Sequence, residues 1–404
     1  MNKRVFVPGD ILLPENVDYS RWSVIACDQF SAQPDYWDRV TEFVDESPST
    51  LNMIVPEAYL SSVSMSEASV QRNKVMEDYL NSDLFKTLKD SFVYVERKTS
   101  EGLARRGLVG LIDLDSYEYV RGNKAPIRAS ENTVVLRLPP RIEVRKNAAL
   151  ELPHAMMLID DANETVIEPL TTIKNELPKL YDFELMEGGG SIAGWQVTGN
   201  LAEQVMNAMD ELARREVQIV IGDGNHSLAA AKECWNQMKS GLTAEEMENH
   251  PARYALAELN NVYDSGICFE AIHRAALGVD TDKMLEALKN ELGCEEGCEL
   301  TYFSTKGNGT ITIPFPSLGG MIGQLQAFMD KYTEENGGEI EYIHDESAVR
   351  ELASKDGNLG LLLPAMDKSD LFNTVITDGV FPKKSFSIGH ARDKRYYLEC
   401  RKIK

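Results

Sequence analysis

Along the chain the spacing of apolar residues switches repeatedly between the strand period of two and the helix period of 3.6, and the switches predict its elements. Apolar or alternating runs at 22–30, 92–95, 108–112, 134–136, 156–159, 165–167 and 254–259 predict strands. Val70, Val75, Met76, Tyr79 and Leu80 recur at near-helical spacing and predict a helix over 67–90, with another over 200–214. Gly188-Gly189-Gly190-Ser191 ahead of 194–197 predicts a hairpin turn or a ligand loop. After a predicted helix over 281–292, strand-like runs at 310–313, 340–343 and 359–363 alternate with helical patterns at 319–333 and 347–354. The chain then returns through 383–390 to a last strand near 395–399. Helices and strands are mixed without a regular βαβ period, which predicts an α+β fold of mixed β-sheets with flanking helices. The pattern predicts a main domain over 1–275, a smaller α/β domain over 276–370, and a segment over 371–404 that rejoins the main domain.

Composition narrows the function. Hydrophobic residues make up 43% and charged residues 26%, the balance of a soluble globular protein. With 42 Lys and Arg against 64 Asp and Glu, the net charge is -22. A chain so acidic repels nucleic acid and anionic membranes, so the expected partner is a small-molecule substrate, with no nucleic acid and no membrane. The first residues lack the apolar core of a signal peptide and no run is long enough to cross a bilayer, which gives a cytoplasmic expectation. Of six scattered cysteines only Cys294 and Cys298 are close, and no second pair or nearby histidine completes a zinc set. None of these patterns fixes an oligomeric state.

The densest chemistry lies at 217–232, where a β-branched run enters Gly222-Asp223-Gly224-Asn225-His226-Ser227 and leaves as Leu228-Ala229-Ala230-Ala231-Lys232. This reads as strand, turn, helix. Glycines at 222 and 224 permit positive φ or close approach to a ligand, and Asn225 or Ser227 can cap the helix. Amides at such a helix start favour an anion, phosphate above all, so Gly222, Gly224, Asn225 and Ser227 are the candidate phosphate-binding residues. Asp223 is a candidate metal ligand or proton acceptor, and His226 a candidate donor to phosphate or a group titrating near neutral pH. The plainer alternative is a tight connection whose polar residues satisfy their own backbone. An acid, an amide and an imidazole together at a helix start weigh against it.

Other groups are candidates for the same chemistry. Glu131 is followed by Arg137, Arg141, Arg145 and Lys146, a basic cluster that could clamp an anionic substrate. Glu131 itself is a candidate general base or metal ligand if it folds beside Asp223. His273-Arg274 and Lys384-Ser385 place further cationic and hydroxyl groups for a phosphate or carboxylate, against the alternative of a satisfied core histidine and a basic surface hairpin. His154 reads as a core histidine and Cys27 as buried filler. No Walker loop, G-x-S-x-G elbow, H-E-x-x-H helix or Rossmann fingerprint is present.

Several of these elements carry a resemblance. Ala26-Cys27-Asp28-Gln29-Phe30, Glu131-x-Thr133, Leu150-Glu151-Leu152-Pro153-His154, Asp223-Gly224-Asn225-His226, Ile272-His273-Arg274 and Lys383-Lys384-Ser385-Phe386-Ser387 together resemble the prokaryotic family catalogued as domain of unknown function 1015, over nearly the whole chain. More distantly, the Asp-Gly-x-His turn opening a helix is similar to the nucleotide-phosphate motif of the ParB and sulfiredoxin superfamily, which includes free serine kinases with an Asp-Gly-His-His-Arg version. Asn225 stands where those kinases have their first histidine and Ser227 where they have arginine. The resemblance implies a ParB/sulfiredoxin-like core around 210–240, ATP or ADP with Mg²⁺ as cofactors, and a place in serine metabolism. With the turn, it gives the leading expectation: a nucleotide-dependent phosphotransferase acting on a small hydroxylated metabolite, free L-serine first. Two alternatives stand beside it, a non-catalytic nucleotide or metabolite sensor, which the missing arginine favours, and a hydrolase using Asp223 and His226 around a metal.

Overall fold

Alternating apolar positions in the strands Phe85–Lys98, Ala104–Asp113 and Tyr254–Asn261 sort onto two faces of one sheet. Val93, Val95, Val109, Leu111 and Leu256 enter one core, while Phe92, Tyr94, Leu108, Ile112, Ala257 and Leu259 enter the other. The computed structural model describes residues 4–25, 27, 30, 33–59, 62–152 and 155–404. Ala26, Asp28, Gln29, Pro153 and His154, which contribute to the sequence motifs, lie outside the described residues. The fold is mixed α+β. It divides into a larger unit of 1–129, 133–267 and 389–404 and a smaller unit of 130–132 and 268–388. Apart from 130–132, the smaller unit runs from Cys268 to Ile388.

The larger unit holds an 11-stranded sheet whose main path runs Lys179–Glu184, Ser191–Val197, Phe85–Lys98, Ala104–Asp113, Tyr254–Asn261, Ala155–Ile159, Ile219–Asp223, Ile127–Ala129 and Tyr117–Glu118. Strand Ile219–Asp223 runs antiparallel to Ala155–Ile159 and parallel to Ile127–Ala129. Lys179–Glu184 and Ser191–Val197 form the hairpin that the Gly188–190 turn predicts. The smaller unit has a five-stranded antiparallel sheet in the order Gly307–Ile313, Cys298–Ser304, Leu359–Leu362, His273–Leu277 and Glu339–Ile343, with helices Thr281–Leu292, Leu318–Asn336 and Glu346–Ala353. Phe269–Ala271 pairs with Phe386–Ile388, which is why both ends of this segment belong to the smaller unit. Among the described residues no helix is long and apolar enough to cross a membrane.

Four expectations change. The strand predicted over 22–30 is present among the described residues only as Val24–Ile25, and Trp22 closes helix Tyr19–Trp22 instead. The helix predicted over 67–90 spans Met65–Asn81 only, and the chain turns at Asp83 with φ 52 before strand Phe85–Lys98 begins. The strand predicted at 134–136 is a single 3₁₀ turn leading into helix Leu138–Lys146, because Pro139 and Pro140 fix φ for the first helical turn. The run at 165–167 is no strand either: the Asp161 carboxylate accepts from the Thr165 and Val166 amides, and Pro169 then opens helix Glu168–Ile173.

Buried ion pairs hold the larger unit together. Glu151 is fully enclosed and accepts from Arg401 Nη1 at 2.7 Å and the Leu256 amide at 2.8 Å, while Arg145 Nη2 stands 2.6 Å from its other oxygen. Burial pushes this carboxyl up, but Arg145 and Arg401 together outweigh it and hold it below the usual carboxylate range. Glu258 is held down in the same way, burial being outweighed chiefly by Arg395. A carboxyl depressed in the folded state contributes stability above its unfolded pKa of about 4.3, and that stability is lost as pH falls through the folded value. Removing the charge of Glu151 leaves two guanidinium groups enclosed and unbalanced, at a cost of roughly 3 kcal/mol. Glu151→Gln is therefore expected to lower the melting temperature at pH 7, and to lose less of its remaining stability than the parent protein between about pH 5 and pH 3, in thermal melts across that range.

Candidate functional site

Strand Ile219–Asp223 enters the site because Ile219, Val220 and Ile221 are wholly buried, which fixes where its polar end emerges. Its register against Ala155–Ile159 shifts between Ile221 and Asp223, and Gly222 sits inside the strand at that irregularity. Gly224 alone in this turn takes the left-handed conformation, φ 89 and ψ 17, and is the N-cap of helix Asn225–Lys239. Neither Asn225 nor Ser227 caps the helix, contrary to expectation, because both lie within its first turn and a glycine cap brings no side-chain acceptor. The first in-helix bond runs from the Leu228 amide to Gly224 O at 3.0 Å, so the amides of Asn225, His226 and Ser227 precede the helix's own hydrogen-bond ladder. Asn225 Oδ1 is enclosed without a hydrogen-bond partner among the described residues. Residues 222–227 are half-buried, reachable from solvent at the positive end of a 15-residue helix.

A residue outside every sequence motif completes the turn. Lys394 Nζ lies 3.3 Å from Asp223 Oδ2, with its side chain 9% exposed against 39% for Asp223. The other oxygen of Asp223 accepts from the Gly224 amide at 2.7 Å. Sheet register explains the meeting: Asp223 and Glu258 both pair with Met156, so the two carboxylates flank one residue on one face. Consecutive residues of the chain's last segment then reach them, Lys394 to Asp223 and Arg395 to Glu258 at 2.5 Å. That segment is anchored by Asp393, whose carboxylate accepts from the Ser100 amide at 2.7 Å and whose carbonyl accepts from Arg97 and Arg105. The sequence offers only a charged triplet, Asp393-Lys394-Arg395, ahead of an apolar run, and nothing local marks Lys394 as part of this site.

His226 is engaged by protein. The Val134 amide donates to its Nε2 at 3.2 Å, so this nitrogen is an acceptor and a neutral ring carries its proton on Nδ1. The imidazole therefore fastens segment 133–134 to the helix start instead of donating to phosphate through Nε2. Arg141 Nη1 donates to the Arg137 carbonyl at 3.0 Å, and Arg137 is exposed.

The remaining candidates belong to the smaller unit and meet there. Glu131 Oε1 accepts from the Ser385 amide at 3.2 Å, and Ser385 Oγ donates to the Pro382 carbonyl at 2.7 Å. Arg274 is buried, with Nε on Gln326 Oε1, Nη1 on the Ile272 carbonyl and Nη2 on the Lys384 carbonyl. Its guanidinium lies 4.6 Å from the Tyr342 ring centre, and burial pushes its pKa down to about 10. His273 Nδ1 accepts from the Leu363 amide at 3.1 Å, and burial lowers its pKa. Arg274 and Ser385 thus build the support of a turn in which Lys384 adopts φ 58, while His273 ties its strand to Leu363. Within the smaller unit the carboxylate of Glu131 is part of that support.

A resident metal does not fit the donor set. Among the described residues no three His, Cys, Asp or Glu groups stand together as ligands, and the one carboxylate of the turn already faces the Lys394 ammonium. The hydrolase arrangement of Asp223 and His226 around a metal fails on the same ground, since His226 Nε2 accepts from Val134.

Known proteins resemble this chain to different degrees. A conserved hypothetical protein from Pyrococcus furiosus shares 14% identity at a TM-score of 0.36, covering 73% of this chain and 94% of its own. A free serine kinase solved in complex with AMP shares 13% identity at 0.39, covering 73% and 90%. SbnI from Staphylococcus aureus, solved with a C-terminal truncation, shares 8% at 0.37, covering 70% and 82%. No curated protein matches the sequence. The family described as "Protein of unknown function (DUF1015)" matches residues 12–376, and the chain belongs to that family.

Proposed function

We propose that the larger unit binds a nucleotide through its phosphates at turn 223–227 and transfers a phosphoryl group to a small hydroxylated metabolite, with free L-serine first among the substrates. The observation that carries this reading is the meeting of Asp223 and Lys394 at a helix start that no side chain caps. Amides of Asn225, His226 and Ser227, aligned with the helix dipole, suit the oxygens of a phosphate. Lys394, nearly enclosed, offsets phosphate charge where water screens it least. Asp223 orients the substrate hydroxyl and takes its proton as the hydroxyl oxygen bonds to the terminal phosphorus; the bond from that phosphorus to the bridging oxygen breaks and the shortened nucleotide leaves. His226 contributes by holding segment 133–134 in place. Serine comes first because of the Asp-Gly-x-His likeness in sequence.

A second reading is a nucleotide sensor without turnover. Ser227 in place of an arginine supports it, as does an Asp223 carboxylate that already holds the Gly224 amide and Lys394.

Phosphorus NMR of the full chain with serine, ATP or ADP and Mg²⁺ as the nucleotide's counterion is expected to show phosphoserine accumulating. A melting temperature raised by nucleotide with no phosphorylated product under any tested hydroxylated metabolite would favour the sensor. Asp223→Asn is expected to lower turnover by about 100-fold or more with little change in nucleotide affinity. Lys394→Met is expected to weaken nucleotide binding roughly tenfold, read by calorimetry. Full turnover in the Asp223 variant would remove its assigned role.

A further inference from the structure

The geometry points to a binding site for a short-chain aliphatic carboxylate in a cleft of the larger unit, an inference independent of the phosphate reading above. Arg141, Val144 and Arg145 line the cleft from one face of helix Leu138–Lys146, and Ser227 and Ala230, three residues apart, line it from helix Asn225–Lys239. The cavity between them measures about 130 Å³. An apolar cavity of about 150 Å³ takes up benzene, so this one has room for roughly six non-hydrogen atoms and excludes a nucleoside.

Charge selects the head group of the occupant. Arg141 and Arg145 line the cleft against a single carboxylate, Glu151, which also accepts from Arg401 at 2.7 Å. Guanidinium is therefore in excess at this spot, in a chain whose net charge is -22. Arg145 faces Glu151 through Nη2, and its Nε and Nη1 donate to no described residue. Ser227 Oγ likewise makes no hydrogen bond to a described residue, and it stands in the first turn, at the positive end of a 15-residue helix. One turn before Met76, Arg72 donates from Nη1 to the Asn52 carbonyl and meets no carboxylate among the described residues. A guanidinium and a hydroxyl together suit a carboxylate, and the same surplus of positive charge repels an ammonium. The depth of the cleft selects the rest of the molecule. Met53, Met76 and Leu152 are buried and apolar there, and the small side chains of Ala148 and Ala230 leave space for a hydrocarbon tail.

Titration of the full chain by ligand-observed NMR tests head group, size and place. Isobutyrate is expected to bind at least tenfold more tightly than isobutyramide, its neutral counterpart, or L-alanine, in which an ammonium replaces one methyl group. Acetate, which buries two fewer carbons, is expected to bind roughly tenfold more weakly than isobutyrate, and octanoate no more tightly. Val144→Phe and Val55→Phe, at half-buried positions lining the cleft, are each expected to weaken isobutyrate at least tenfold. Thermal melts report which variants are folded, and either one suffices. No isobutyrate binding to the parent protein overturns the site, as does equal affinity for isobutyramide or tighter binding of octanoate. Isobutyrate affinity unchanged in a folded variant, or isobutyrate displaced by inorganic tripolyphosphate, places the anion at the helix start and overturns the cleft assignment.

Discussion

The positive end of helix Asn225–Lys239 is left without a side-chain cap, and the chemistry proposed here depends on that one circumstance. A helix start carries several amides that its own backbone cannot satisfy, and globular proteins usually answer them with a serine, threonine or aspartate at the cap. Here the cap is Gly224 in a left-handed conformation, and the neighbouring carboxylate turns back to the Gly224 amide. The strand that delivers the turn is packed on both faces, so the turn cannot relax into the sheet. Half-buried amides in such a position are stabilised most by an anion.

Positive charge arrives from far along the sequence. Lys394 and Arg395 are adjacent in the chain, and their partners Asp223 and Glu258 are one strand apart on either side of Met156. Burying Arg395 with Glu258 and Glu399 costs desolvation, offset by short contacts on both carboxylates. That cost makes sense as positioning: a segment pinned by Arg97, Arg105 and Asp393 has little freedom to withdraw Lys394 from the turn. Glu151 performs a corresponding service elsewhere in the larger unit, where it gathers the Arg145 and Arg401 guanidinium groups and the Leu256 amide.

Local physics made the turn legible. A β-branched run, two glycines and an alanine-rich sequence specify strand, turn and helix without help from the rest of the chain, and the structure has Ile219–Asp223, Gly224 and Asn225–Lys239 in those places. The helix expected over 281–292 is likewise present as Thr281–Leu292, with Asp280 capping it. Segment 134–136 misled because three apolar residues read alike in a strand and in a turn, and only the prolines that follow decide. The roles of side chains were less visible than their elements. Arg274 looked like an anion ligand, yet its donors go to Gln326 and to the carbonyls of Ile272 and Lys384, an outcome set by burial that spacing does not encode. Lys394 lay about 170 residues from the turn, beyond any local pattern.

The most direct test of the uncapped helix start is a backbone amide titration of the full chain by transverse-relaxation-optimised NMR with a nonhydrolysable ATP analogue. The account predicts that the amide signals of Asn225, His226 and Ser227 move strongly downfield as they donate to phosphate, with the Gly224 signal, already donating to Asp223, moving least. Saturation by the analogue with those three amides unmoved and the response elsewhere would contradict it.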